Sequence, residues 1–413
     1  MKKLYADAET IINESIRAAL PGGAVKKTLE KINFGGPVFL FAVGKAAYKM
    51  AEAARECLGD KIIDGLVITK YGHAGKNNFF KTIEAGHPVP DDNSVAGARA
   101  ALEMVRGLAK SDTVLFLISG GGSSLFELPA DGLALADIAG VTEKLLACGA
   151  DITEINAIRK KLSRVKGGKF AAAAAPARVV SVILSDVLGD DPATIASGPA
   201  SPDNGAAPRA EEVIKKYGLR FDEKITARIN NESVIELPNA ETYICGSVGG
   251  FCASAAESAK RLGYAPYILT TNLNCEAREA GRFLGAIAKN IDNGGFFKPP
   301  CAVIAGGETV VTLKGNGKGG RNQELALAAA EEIAGLNDTL IFSVGSDGTD
   351  GPTDAAGGFA DGGTKRRLAD LGYSIPELLA ANDSHSGLKA CGGFIITGPT
   401  GTNVNDISVI LRG

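Results

Sequence analysis

The stretch TVLFLISGGGSS, residues 113–124, decides the fold: six mostly apolar residues run without a spacer into Ser119, Gly120, Gly121, Gly122, Ser123 and Ser124. An unbroken apolar run, as opposed to an alternating one, marks a strand covered on both faces, and such strands belong to parallel sheets flanked by helices. The same pattern recurs in both directions. PVFLFAV at 37–43 leads into Gly44-Lys45 and a helical pattern over 46–58; a strand at 65–69 and a helix over 95–109 follow. Beyond the quoted stretch, helical patterns at 134–147 and 152–164 precede a strand at 179–184. Strands alternating with helices of ~10–15 residues build βαβ units. The fold class is therefore α/β, with a Rossmann-like, doubly wound parallel sheet in the N-terminal half.

Residues 197–231 are poorer in strand signal and hold Pro199, Pro202 and Pro208. A new series then begins: strand 242–245, helix 253–262, strand 267–270, helix 276–289, paired strands 302–305 and 309–313, helix 323–334 and strand 340–344. A boundary near Pro238 gives domains 1–237 and 238–413, the second smaller and also α/β. The 413 residues suit two or three domains at ~150 residues each.

Composition narrows the function classes. With 44 basic against 47 acidic residues and a net charge of −3, there is no broad basic field for nucleic acid or anionic lipid. No apolar run approaches ~18 residues, so no membrane span is expected, and the first residues lack a signal-peptide core. Seven cysteines with no C-x-x-C pair fit a reducing cytosol, and three histidines (His73, His87, His385) are too dispersed for a histidine metal centre. Glycine is the informative excess, 53 residues, clustered where apolar runs stop.

Ligands of open α/β sheets bind beyond the carboxyl ends of strands, at helix N-termini. Five strands end there in small residues joined by a lysine, acids or serines: Gly44-Lys45; Ser119–Ser124; Ser185-Asp186 through Asp190-Asp191; Gly306-Gly307-Glu308; and Gly345-Ser346-Asp347 through Asp350. Ser119–Ser124 reads as a phosphate or carboxylate cradle, because glycines let amides converge; a flexible connection is the plain alternative. Lys45 at the positive end of a helix is better explained by a bound anion than by stability, or else it is a solvated lysine. Asp186, Asp190, Asp347 and Asp350 suggest Mg²⁺ held by one or two carboxylates, although Asp and Gly are also turn residues. Asn156 and Arg159 lie one helical turn apart and can share a face as an anion clamp or as a solvated basic face. Gly315 to Gly320 matches G-x-G-x-x-G, a weak dinucleotide signal. With Gly317, Lys318, Gly320, Arg321 and Asn322 it also suits phosphoryl oxygens. No Walker motif and no protein-kinase motif set occurs.

Longer motifs carry a resemblance. AVGKAAYKMA, EAGHPVPDDNS, LISGGGSSLFELP, INAIRKKLSRVKGGKFA, ILSDVLGDDPATIASGPASPD, GGETVVTLKGNGKGGRNQELALAAA and SVGSDGTDGPTDAAGG resemble the bacterial-type glycerate 2-kinases with a MOFRL C-terminal domain, some of which carry an older hydroxypyruvate reductase label. The resemblance implies two domains with the active site in the cleft between them, and transfer of the ATP γ-phosphoryl to the 2-hydroxyl of D-glycerate with Mg²⁺. It places Lys45 and Arg321 at the reacting phosphate and Asp186 on the acidic SD-x-x-GD position. The expected partners are a nucleotide and a small-molecule substrate, with monomer and homodimer both open. The alternatives are an NAD(P)H-dependent hydroxypyruvate reductase, for which only His87 could serve as acid, and a non-catalytic phosphosugar-binding module.

Overall fold

The computed structural model describes residues 1–75, 79–202, 208–230 and 236–413. In the first sheet, β1 (Val38–Val43), β2 (Ile62–Lys70), β3 (Lys81–Ala85), β4 (Thr113–Ile118), β5 (Arg178–Leu184) and β6 (Ala240–Gly246) lie in the order β3-β2-β1-β4-β5-β6. The pairings from β3 through β5 are parallel. β1 and β4, whose apolar runs were legible in the sequence, are neighbours in full register from Val38↔Thr113 to Val43↔Ile118. Strand order reverses between them, which makes their carboxyl ends the topological switch point.

Register explains the core. Phe41 on β1 faces Phe116 on β4, and with Phe126 and Phe170 they form a buried aromatic cluster with ring centroids 4.7 to 6.2 Å apart. Each such ring, fully buried, stabilises by ~1.5–3 kcal/mol. Phe126 ends the glycine-rich turn after β4, so this core also pins the loop. A smaller apolar cluster joins the helices Leu135–Ala147, Ile152–Leu162, Ala210–Tyr217 and Glu223–Ile229.

The second sheet contains β7 (Ala265–Leu273), β8 (Cys301–Gly307), β9 (Thr339–Gly345), β10 (Gly357–Asp361), β11 (Phe394–Ile395) and β12 (Asp406–Arg412), in the order β11-β10-β9-β12-β8-β7. Only β7 with β8 is parallel; the other pairings are antiparallel. β12 runs between β8 and β9, so Asp406 at its start sits opposite both Gly307 and Gly345.

The division into compact units is Pro21–Cys245 and, separately, Met1–Leu20 with Gly246–Gly413. It departs from 1–237 and 238–413 in two places. β6 hydrogen-bonds to β5 and completes the first sheet, carrying the change of unit past Pro238. The helix Lys2–Ala18 buries Leu4, Ala8, Ile11, Ile12 and Ile16 and packs with the later residues. Tyr264 donates to Asp7 (2.6 Å), Tyr5 to Asp361 (2.8 Å) and Thr402 to the Ala19 carbonyl (2.7 Å). Residues 309–313 are not a strand. Val310 makes one isolated bridge, to Glu276, and Val310 and Leu313 lie exposed. Among the described residues no helix is long and apolar enough to cross a membrane.

Candidate active site

The turns after β1 and β4 interlock at the switch point. The Lys45 amide donates to the Gly120 carbonyl (2.9 Å), the Ala46 amide to Ser119 Oγ (3.1 Å), and Thr69 Oγ1 to the Gly44 carbonyl (3.0 Å). Gly44 has φ +124°, and a Cβ there would stand 2.2 Å from Ser119 Oγ, so only glycine allows this approach. Ser119 is thus a buried brace. Ser124 is buried as well and donates to the Gly121 carbonyl (3.2 Å). The open part of the loop is Gly120, Gly121 and Ser123; the Gly120 and Gly121 amides have no acceptor among the described residues. The Lys45 ammonium has no acidic partner among the described residues.

Behind the loop lies a polar relay. Ser123 Oγ is 2.7 Å from Ser197 Oγ, which donates to Asn156 Oδ1 (2.9 Å). Arg159 and Lys166 both donate to the Ser123 carbonyl (3.2 and 2.6 Å), and both pair with the fully buried Glu127, at 3.5 and 3.3 Å. Asn156 and Arg159 therefore support the cradle from behind, because a buried carboxylate claims the arginine. Glu127, Lys166 and Ser197 carried no sequence signal for this role.

The turn after β5 brings Asp186 against the loop. A Cβ on Gly120 would lie 2.0 Å from Asp186 Oδ2. Asp190 adopts φ +53°, and its Oδ1 is buried without a hydrogen-bond partner. Asp191 instead caps its own turn, accepting from the Ala193 amide and Thr194 Oγ1. Gly120→Ala is expected to keep the melting temperature within about 2 °C, because a carboxylate end can swing aside. Displacing it by ~1 Å should lower kcat/KM by about 10²-fold; steady-state kinetics beside a thermal melt checks both.

In the other unit, Arg321 opens the helix Arg321–Glu332 and is held by two acids. Its Nε and Nη2 donate to Asp406 (2.5 and 3.1 Å), and its Nη1 to Glu308 (2.9 Å). Burial works to discharge the guanidinium, but Asp406, Glu308 and Asp350 outweigh it and hold it charged. Burial, together with the negative charge of Asp350, pushes Asp406 up to about 6 despite the arginine. Asp350 accepts from the amides of Asn322 and Gln323 and from both their side chains, so it caps this helix. Asn322 is buried and also accepts from Ser343 (2.6 Å). Gly320 packs on Asp350, and Gly317 on Asp383, where a Cβ would come within 2.4 Å of a neighbour. Lys318 is exposed, its amide on Asp383. Asp347 accepts from the Thr349 amide. Among the described residues no three histidines, cysteines or acids gather as a metal cage. Asp350, saturated by N–H donors, does not fit a metal; Asp190, with its orphaned oxygen, does.

The comparisons with known proteins bear on what these two clusters serve. A family model described as Domain of unknown function (DUF4147) matches residues 7–230, and the MOFRL family model matches 301–406. A D-glycerate 2-kinase of Thermotoga maritima is 51% identical over 99% of this chain and 98% of its own. The chain belongs to the glycerate 2-kinase family. A glycerate 2-kinase of Pyrococcus horikoshii is 41% identical over 97% of this chain and 96% of its own. The crystal structure of a glycerate kinase from Thermotoga maritima superposes with a TM-score of 0.96 at 50% identity, covering 100% of both chains. As a glycerate 2-kinase family enzyme, the chain has β1 to β5 of its Rossmann-like sheet within the part matched first, and β8 to β11 of its mixed sheet within the MOFRL part. Glu308 and Asp406, which fix Arg321, had no sequence signal beyond a turn acid and an ordinary strand start.

Proposed function

We propose that this enzyme transfers the γ-phosphoryl group of ATP to the 2-hydroxyl of D-glycerate, giving 2-phosphoglycerate and ADP, with Mg²⁺. The observation that carries the reading is the switch-point cluster, an unpaired lysine, open glycine amides and an aspartate on one loop junction, in a chain 51% identical to a D-glycerate 2-kinase. Phosphoryl transfer needs alignment and charge stabilisation more than covalent help. Lys45 neutralises phosphoryl oxygens, and the Gly120 and Gly121 amides grip an anion, phosphate or carboxylate. Asp186 and Asp190 would hold Mg²⁺, which supplies charge neutralisation on the phosphates when bound. Arg321 uses three of its five N–H groups on Asp406 and Glu308, which leaves two for phosphate oxygens.

The reductase reading loses its motif, because no strand leads directly into Gly315–Gly320 and the glycines there serve close packing. The test is an assay coupled through enolase and pyruvate kinase with phosphoglycerate mutase left out. Signal in this assay is the expected result, and ADP formation measured directly, without the coupling enzymes, should be abolished by EDTA. Signal only after mutase is added would move the phosphoryl to the 3-hydroxyl, and NADH consumption on hydroxypyruvate without kinase signal would overturn the reading.

A further inference from the structure

We propose that His87 is a catalytic residue of this enzyme: its ring touches the acceptor molecule at the Gly120–Gly121 loop and takes the proton of the attacking hydroxyl. The proposal rests on the phosphoryl-transfer reading above and names a group in that site. His87 follows β3 and Gly86. A Cβ on Gly121, which has φ +85°, would lie 2.9 Å from His87 Cδ2, 3.0 Å from His87 Nε2 and 3.3 Å from Lys45 Cγ. The imidazole and the lysine stem therefore flank the same open glycine whose amide has no acceptor among the described residues.

Neither ring nitrogen of His87 has a hydrogen-bond partner among the described residues. A half-buried imidazole normally satisfies at least one nitrogen. Here the ring is positioned by packing and left chemically open toward the loop. Burial first, and then Lys45, Lys70 and His73, hold it below the usual histidine range, so it is neutral and able to accept a proton at pH 7. His73 is turned to the Lys45 carbonyl (3.2 Å). The nearby carboxylate of Asp91, beside Gly86, is taken up by Tyr71 and Ser94, and Glu84 by the amides of Gly72 and Ala74.

The step balances within the substrates. The acceptor oxygen bonds to the γ-phosphorus, and the bond from that phosphorus to the bridging oxygen breaks. The electron pair leaves with the nucleoside diphosphate, and the hydroxyl proton passes to the free ring nitrogen and later to water. A base so placed contributes ~10²–10⁴-fold.

The experiment uses the full chain with Mg-ATP and D-glycerate, comparing the wild type with H87Q and H87A. The expected result is a kcat about 10²-fold lower in H87Q with KM for ATP within threefold, and partial recovery of H87A by millimolar imidazole. The acid-side fall of kcat/KM, where the protonated ring can no longer accept, should be lost in H87Q. A wild type that does not phosphorylate glycerate would overturn the underlying reading. An active wild type with H87Q within threefold of it, or a loss with an unchanged pH profile and no imidazole recovery, would overturn the role of His87 alone. H87Q, close in size and polar, carries the test if H87A melts early.

Discussion

Lys45→Ala is expected to lower kcat/KM for glycerate phosphorylation by about 10³-fold while leaving the melting temperature within about 2 °C. The small stability effect follows from the contacts. What the fold uses at this position is the backbone, through the hydrogen bond that the Lys45 amide donates to the Gly120 carbonyl, and alanine keeps that bond. The ammonium has no acidic partner among the described residues, so its removal leaves no buried charge uncompensated. The large kinetic effect follows from its place at the carboxyl end of β1, beside β4, where strand order reverses. One preorganised donor aimed at developing charge is worth ~10²–10³-fold, and a full positive charge beside phosphoryl oxygens lies at the upper end. Lys45→Arg should recover part of the loss, because it restores charge without the point geometry. Single-turnover measurements would show the deficit in the chemical step. Activity above a tenth of wild type in Lys45→Ala would remove the residue from the reaction.

The switch point was legible because its strands are continuous apolar runs and its turns are made of residues with few other uses. The β1 run passes directly into Gly44 and the β4 run into Ser119 and three glycines, and no helical period competes with them. β3, reading KTIEA, was not legible: it is short, half polar and paired along one edge only. Residues 309–313, reading TVVTL, have strand propensity, yet propensity for a half-buried pleated surface does not supply a neighbour to pair with. Their amides go instead to Cys275 and Glu276. The N-terminal helix shows why boundaries are hard to place from a linear reading, since its apolar stripe says that it packs but not on which sheet.

The aspartate clusters show the same limit in the site. Asp186, Asp190, Asp191, Asp347 and Asp350 look alike in sequence. In the structure one lies against the glycine loop, one keeps an orphaned oxygen, two serve local turns and one caps a helix. Sequence spacing cannot separate these: Asp191 and Asp347 take donors within three residues, whereas Asp350 takes the N–H groups of Asn322 and Gln323, well away along the chain. Asp406 lies further still from Arg321, across the sheet, and only the β8-β12-β9 register brings it there.

Glu127→Ala is expected to cost about 3 kcal/mol of stability at pH 7, a fall of roughly 6–12 °C in the melting temperature of a unit this size. The reason is charge left behind. Lys166 and Glu127 have fully buried side chains 3.3 Å apart, and Arg159 is 3.5 Å from the same carboxylate. Without the carboxylate, two cations remain in the interior with only the Ser123 and Phe126 carbonyls to face. Burial, opposed by Glu127, already pushes the Lys166 ammonium down to about 8. Because that value lies below the unfolded one near 10.5, the group's contribution to stability is fully present above about 10.5 and lost as pH falls through 8. The deficit of Glu127→Ala should accordingly be largest at neutral pH and narrow above about pH 8, where Lys166 is neutral in the folded state of both proteins. The double variant Glu127→Ala with Lys166→Met should recover much of the loss, since it removes the stranded ammonium and keeps the apolar stem. Urea unfolding at pH 7 and pH 9.5 measures all three effects. If the single variant were as stable as wild type at pH 7, the pair would not be the strut that holds Ser123. If it were destabilised with unchanged kcat/KM, the strut would belong to the fold alone and the cradle would owe its geometry to Gly44 and Ser119.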